Sequence, residues 1–241
     1  MTNKDEILNS DGDEVGMIQE TRGYSNENHS SNLKSKIRIG VGLVGVVIIA
    51  IVAIVFYNKS KNEKEQEASV ALSRVRTFFD NGDYLKAVNG DPAKLIRDTP
   101  VIGLKDIVEQ YGSSENSKVA ALYAGSSQVA LKKQSEAEAY FEKALTSSSV
   151  EVVVGANVGI AICKESQNKY IEAGEYYEKA SQLAGQKGQK DKFKLFAALS
   201  FEKAGNKEKS ERLYREILHS ETMEYISESK SGLTRLGMIV E

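Results

Sequence analysis

The pattern of hydrophobic and polar positions is dominated by one stretch, residues 39–57. It holds 13 Ile, Val, Leu or Phe residues among 19 and contains neither a charge nor a proline. A helix of this length rises about 30 Å, which matches the hydrocarbon core of a bilayer, and its apolar side chains favour insertion by about 5 kcal/mol. The pattern predicts a transmembrane helix over residues 37–58, preceded by a disordered acidic tail over residues 1–36.

Two other interpretations of this stretch do not fit its surroundings. A signal peptide has a shorter apolar region and a cleavage site of small residues, whereas 38 residues precede this stretch and no such site precedes Asn58. Gly40, Gly42 and Gly45 reproduce the spacing of a dinucleotide-binding motif. That motif requires a strand before it and an amphipathic helix after it, so we interpret the glycines as part of the span.

The charges beside the span do not decide its orientation. Three basic residues stand on each side, Lys34, Lys36 and Arg38 before it and Lys59, Lys61 and Lys64 after it. Because cytoplasmic flanks are usually the richer in Lys and Arg, equal numbers give no preference.

Residues 59–115 are predicted to form a linker helix and a divergent first helical hairpin. Apolar residues recur at helical spacing from Val70 to Phe79, and Asn81-Gly82 ends that pattern. A long connection around Gly90-Asp91-Pro92 leads to a short helix containing Ile107. Residues 58–69 are polar, so we expect a spacer between the span and the folded domain.

Residues 116–241 repeat with a period of 36 or 37 residues. Phe141-Glu-Lys-Ala recurs at Tyr177 and, more loosely, at Tyr214. A period near 34 residues is typical of stacked helical hairpins. Small residues precede each aromatic by four positions and recur in the first helix of each pair; they are Ala137, Ala173 and Ser210, and Gly125, Gly159 and Ala198. The predicted fold is all-α, with three to four hairpins and a capping helix within residues 222–240.

These repeats resemble the tetratricopeptide repeat, although the Trp and Pro of that pattern are absent. The resemblance implies a right-handed α-α superhelix with a partner-binding groove along the first helices. The groove positions would be Val119, Leu122, Ser126 and Val129, then Val153, Ala156, Ile160 and Cys163, then Lys192, Leu195, Leu199 and Glu202. They depart from the Lys, Asn and Arg set with which some members clamp a C-terminal carboxylate. The alternative is that several of these residues pack against the capping helix.

The order of tail, span, helix and repeat domain is similar to the bacterial ancillary subunit of the Sec translocon. That resemblance implies a single-pass protein of the inner (plasma) membrane with a cytoplasmic N-terminus and a periplasmic repeat domain. Its partners would be translocon subunits, a membrane-anchored periplasmic chaperone or emerging chains. A cytosol-facing repeat adaptor that assembles another membrane complex is the alternative.

Composition argues against an enzymatic function and against nucleic-acid binding. Residues 62–241 carry a net charge of −2, which offers no basic excess to a phosphate backbone. His29 and His219 are the only histidines, so neighbouring residues do not supply a histidine base or a metal-binding set. Cys163 follows Ile160 and Ile162 in the same predicted helix, where we expect a buried or half-buried thiol. The sequence therefore predicts neither an enzyme nor a cofactor.

Overall fold

The computed structural model describes residues 27–220 and 222–239, and these residues are mostly helical. Two strands, β1 (Gly90–Ile96) and β2 (Thr99–Ile102), form an antiparallel hairpin. A 3-10 turn, Met223–Tyr225, precedes the last helix. The helices are α1 (Glu27–Asp80), α2 (Tyr84–Asn89), α3 (Leu104–Gln110), α4 (Glu115–Ala130), α5 (Gln134–Ala144), α6 (Val150–Ser166), α7 (Tyr170–Leu183), α8 (Lys187–Lys203), α9 (Lys207–Leu218) and α10 (Ile226–Arg235).

The apolar segment lies within α1, which is long and apolar enough to cross a membrane. The large apolar side chains from Val46 to Phe56 are each more than half exposed, as expected of a helix surface that faces lipid. The predicted acidic tail lies largely outside the described residues, but its last part, residues 27–36, is helical. The sequence prediction began the helix too late, at residue 37 and not at Glu27. The helix extends into the tail because lengthening a helix that is already nucleated costs little free energy.

The chain divides into two compact units, residues 1–55 and 56–241. In the second unit, the last part of α1 belongs to the folded core. Ala68 and Val75 are fully buried, and Leu72 and Phe78 are less than a tenth exposed. All four contribute to the same hydrophobic cluster as the helices that follow. This part of α1 is therefore the first helix of the domain.

Residues 58–69 are not a spacer throughout, because Glu65 and Ala68 contact the folded domain, whereas residues 58–64 are exposed. The Glu65 carboxylate accepts hydrogen bonds from the backbone N–H groups of Glu115, at 2.7 Å, and Asn116, at 2.8 Å. The amide side chain of Asn116 donates to the same carboxylate. The first N–H groups of a helix lack partners within it, and the positive end of the helix dipole favours an anion there. Glu65 thus ties α1 to the start of α4 through charge, not apolar contact.

Four successive helical hairpins share one turn geometry. Gly82, Lys132, Asn168 and Gly205 have positive φ angles of 76°, 61°, 59° and 74°. After each, the next residue donates its backbone N–H to the carbonyl five residues earlier, as Asp83 does to Phe78 at 2.8 Å. This is the Schellman ending of a helix. Each turn joins a first helix to a second helix, in the pairs α1/α2, α4/α5, α6/α7 and α8/α9.

The fold is mostly helical, as predicted, and β1 and β2 form an unpredicted insertion in the first hairpin. The four turn residues are 50, 36 and 37 positions apart, and the 14 residues from Gly90 to Gly103 account for the longer first interval. A Cβ atom on Gly103 would lie 2.2 Å from the Val88 carbonyl oxygen. Because Gly103 has no side chain, the two ends of the insertion can meet. The other hairpins have a single second helix, whereas here α2 lies before the insertion and α3 lies after it.

The sequence hides these strands for a physical reason. β1 contains a register shift between Asp91 and Leu95, so its side chains do not alternate regularly. Within β1 and β2, Val101 is the one buried residue of the hairpin. Arg97 and Asp98 both have positive φ angles and form its two-residue turn, where Asn-Gly is the more usual pair.

Aromatic rings occupy places that glycines leave open in the core. A Cβ atom on Gly159 would lie 2.4 Å from the ring of Phe141, and one on Gly125 would lie 2.7 Å from it. Phe141 and Tyr177 are only 2% and 4% exposed, which confirms the prediction that they are interior aromatics. The last helix, α10, begins at Ile226 and is shorter than the predicted capping segment.

Candidate partner-binding surface

The turn geometry fixes which residues of the first helices are equivalent. Counted back from Lys132, Asn168 and Gly205, the positions of Val119, Leu122, Ser126 and Val129 correspond in α8 to Lys192, Leu195, Leu199 and Glu202, as the sequence predicted. In α6 they correspond to Gly155, Val158, Ile162 and Glu165. The predicted set in α6 was two residues too early. The extra residues lie in the connection between α5 and α6, not at the turn after α6.

Burial agrees with the corrected register. Ala156, Ile160 and Cys163 are at most 1% exposed, and Val153 is half-buried. Ile162, in contrast, is 38% exposed. Leu195 of α8 is also buried, so it contributes to the core and not to an accessible surface.

The first helices lie side by side. A Cβ atom on Gly155 of α6 would lie 3.1 Å from the Leu122 side chain of α4. Farther along α6, Glu165 accepts a hydrogen bond from the Ser200 hydroxyl of α8 at 2.9 Å. We name the resulting surface the first-helix face. Its partly or fully exposed residues are Val119, Leu122, Ser126 and Val129 of α4, Gly155, Val158 and Ile162 of α6, and Lys192 and Leu199 of α8.

Glu165 of α6 and Glu202 of α8 are held by hydrogen bonds within the domain. Glu165 also accepts from the Tyr177 hydroxyl at 3.2 Å. Glu202 accepts from the Tyr214 hydroxyl at 2.5 Å and from Arg235 Nε at 2.7 Å. Burial, and then the neighbouring carboxylate, raises the pKa of both tyrosines, and the Arg235 hydrogen bond lowers the pKa of Glu202. The first-helix face is therefore mainly apolar, with Lys192 as its exposed charge.

These glutamate–tyrosine pairs were not predicted, although the sequence contains a signal for them. In each pair the glutamate precedes the tyrosine by 12 residues, and where the aromatic is Phe141, which has no hydroxyl, the residue 12 positions earlier is Val129. A carboxylate is present where the ring offers a donor and is replaced by an apolar residue where it does not.

Replacing Tyr214 with phenylalanine is expected to lower the free energy of unfolding by about 1–2 kcal/mol, because a partly buried bond to a charged group is lost. Tyr170→Phe is the matched control, since its hydroxyl bonds to Asn168 at the surface and its loss should cost less than about 0.5 kcal/mol. Thermal melting of the full chain in detergent, monitored by circular dichroism, compares the stabilities of the two variants. Equal melting temperatures would show that the buried pair contributes nothing.

The described residues show no grouping of three His, Cys, Asp or Glu side chains that could hold a metal ion. Burial raises the pKa of the Cys163 thiol to about 11, so this thiol is protonated at neutral pH and is a poor nucleophile. His219, the residue after α9, is exposed. The first-helix face is a candidate partner-binding surface.

No protein-family model matches this chain, and a search of the curated proteins returns no match.

Proposed function

We propose that the protein is a membrane-anchored scaffold whose tetratricopeptide-like repeat domain binds a protein partner through the first-helix face. The observation that carries this proposal is the set of partly exposed apolar side chains that α4, α6 and α8 contribute to one surface. Removing such surface from water on association is favourable. Because Glu165 and Glu202 are engaged within the domain, the surface suits an apolar segment better than a free carboxylate or a phosphate.

Two features support the assignment to a tetratricopeptide-like superhelix. The four hairpins share one turn geometry, and interior aromatics recur in the second helices at Phe141, Tyr177 and Tyr214. Stacked repeats of this kind bury a continuous core while the first helices present an extended surface to a ligand. We propose three to four repeats, with the hairpin α1/α2 as a divergent first member.

For the membrane arrangement, we propose a single span in the inner membrane, a cytoplasmic N-terminus and a periplasmic repeat domain. The partners would be translocon subunits, a membrane-anchored periplasmic chaperone or emerging chains. The support is the order of segments along the chain, which resembles the ancillary subunit of the Sec translocon. The equal flanking charges favour neither orientation, so a cytosol-facing adaptor of another membrane complex is the second candidate. Alkaline phosphatase fused after Glu241 is active only when exported and distinguishes the two.

The binding surface is tested by Ile162→Asp, with Ile171→Asp as the matched control. Ile162 is 38% exposed on the first-helix face, whereas Ile171 is 50% exposed on α7, outside it. An interface that buries Ile162 loses about 1.5–3 kcal/mol when a charge replaces it, which is about a 10- to 100-fold loss of affinity. Quantitative mass spectrometry of co-purified proteins should show a partner lost with Ile162→Asp and retained with Ile171→Asp. A partner lost equally with both variants would contradict the proposal.

A further inference from the structure

A second surface, which we name the hairpin cleft, lies between α1 and β2. It encloses about 330 Å³. One side of α1 forms its first wall, β2 forms its second wall, and Tyr111, the residue after α3, also lines it. Its lining residues are Gln66, Glu67, Val70, Ala71, Arg74, Thr99, Pro100, Ile102 and Tyr111. None of them belongs to the first-helix face.

The middle of the hairpin cleft is apolar and open. Val70 is 50% exposed, and Pro100 of β2 is exposed as well. The hairpin that forms this wall is an insertion, and Val101 is its one buried strand residue. The hairpin contributes Val101 to the core cluster, with Ile96 and Ile102 packed against it, and its exposed residues Thr99 and Pro100 line the cleft with α1.

The two ends of the cleft carry opposite charges. Glu67 and Arg74 are seven residues apart on α1, or about 10 Å along the helix axis. Within the part of the chain that the structure describes, Arg74 forms no ion pair with a carboxylate, in contrast to Arg76, which pairs with Asp80 at 3.3 Å. An unpaired guanidinium beside an apolar wall suits a carboxylate next to an apolar side chain, because guanidinium and carboxylate pair through two parallel hydrogen bonds.

We propose that the hairpin cleft binds a short segment of a protein partner in which one large apolar side chain lies next to an aspartate or glutamate. The apolar side chain contacts Val70 and Pro100, and the carboxylate pairs with Arg74. The volume lies at the small end of the range for ligand pockets, so it accommodates an anchor residue and its neighbours. Charge complementarity at Arg74 favours an acidic peptide over a lipid acyl chain.

A peptide-display selection on the full-length protein in detergent tests this site. Wild type should enrich peptides with an aromatic or long aliphatic residue next to Asp or Glu. The Arg74→Glu variant should enrich Lys or Arg at that same position, which only direct pairing with residue 74 predicts. Selection of no peptide, or of the same peptides by both proteins, would overturn the proposal.

A direct binding measurement with one selected peptide completes the test. Val70→Asp should weaken its binding at least 10-fold, and Ser69→Asp, an exposed α1 substitution outside the cleft lining, should change it less than twofold. Circular dichroism melting confirms that the variants fold. Binding that survives Val70→Asp, or a cleft that takes up acyl chains in place of the peptide, would overturn the proposal. Ile162→Asp should leave this binding unchanged, so failure of one site is distinguishable from failure of the other.

Discussion

Replacing Phe141 with alanine is expected to lower the free energy of unfolding by about 3–5 kcal/mol. The ring is 2% exposed and lies against Gly125 of α4 and Gly159 of α6 at the same time. Truncation leaves a cavity that neither glycine can fill, because neither has a side chain to move into it. Such a loss is a large part of the 5–15 kcal/mol typical of a folded domain. Circular dichroism melting of the full chain in detergent measures it.

Two further variants define what this result means. Glu142→Ala removes an exposed neighbour of Phe141 and should leave the melting temperature nearly unchanged. Gly159→Val adds atoms where a Cβ would already lie 2.4 Å from the ring, so it should destabilise by overpacking. A melting temperature unmoved by Phe141→Ala would contradict the placement of this ring in the core and the repeat register built on it.

A fragment of residues 82–241 is expected to lack a cooperative unfolding transition, whereas residues 62–241 should fold. The shorter fragment loses Leu72, Val75 and Phe78, three buried apolar side chains of the main core cluster. At about 1.5–3 kcal/mol for each side chain, the loss is roughly 5–9 kcal/mol, comparable with the stability of the whole domain.

A third fragment, residues 66–241, isolates the contribution of Glu65. It keeps the buried side chains of α1 but removes the carboxylate that accepts the N–H groups of Glu115 and Asn116. Loss of a helix cap costs about 0.5–2 kcal/mol, and Glu65→Gln in residues 62–241 should produce part of that loss. Equal melting of all three fragments would contradict the assignment of α1 to the repeat domain.

Much of the repeat architecture could be predicted from the sequence because its signals are local. The recurrence of Ala137 and Phe141 at Ala173 and Tyr177 marks equivalent places in successive second helices, and both aromatics are buried. The β-hairpin could not be predicted in the same way. Its strands are short and mostly exposed, and the register shift after Asp91 removes the alternation by which strands are recognised.

Counted from the turn residues, the positions chosen in α4 and α8 are equivalent to each other, but those chosen in α6 lie two residues too early. A two-residue difference between helices cannot be placed from the spacing of aromatics alone, because an insertion before a helix and one after it give the same spacing. The positive φ angle of Asn168 marks the turn after α6 and so fixes the register of α6. The role of Glu65 was missed because polarity alone does not distinguish a solvated linker from a charged helix cap, and only the position of Asn116 in space makes that distinction.

Photo-crosslinking in intact cells tests most directly whether the first-helix face binds a protein partner. A photoreactive amino acid replaces Ile162 in one strain and Ile171 in another, both exposed apolar positions of the repeat domain. We predict that the residue at 162 forms a discrete adduct with another protein and that the residue at 171 does not. An adduct formed equally from both positions, or from Ile171 alone, would contradict a partner-binding role for the first-helix face.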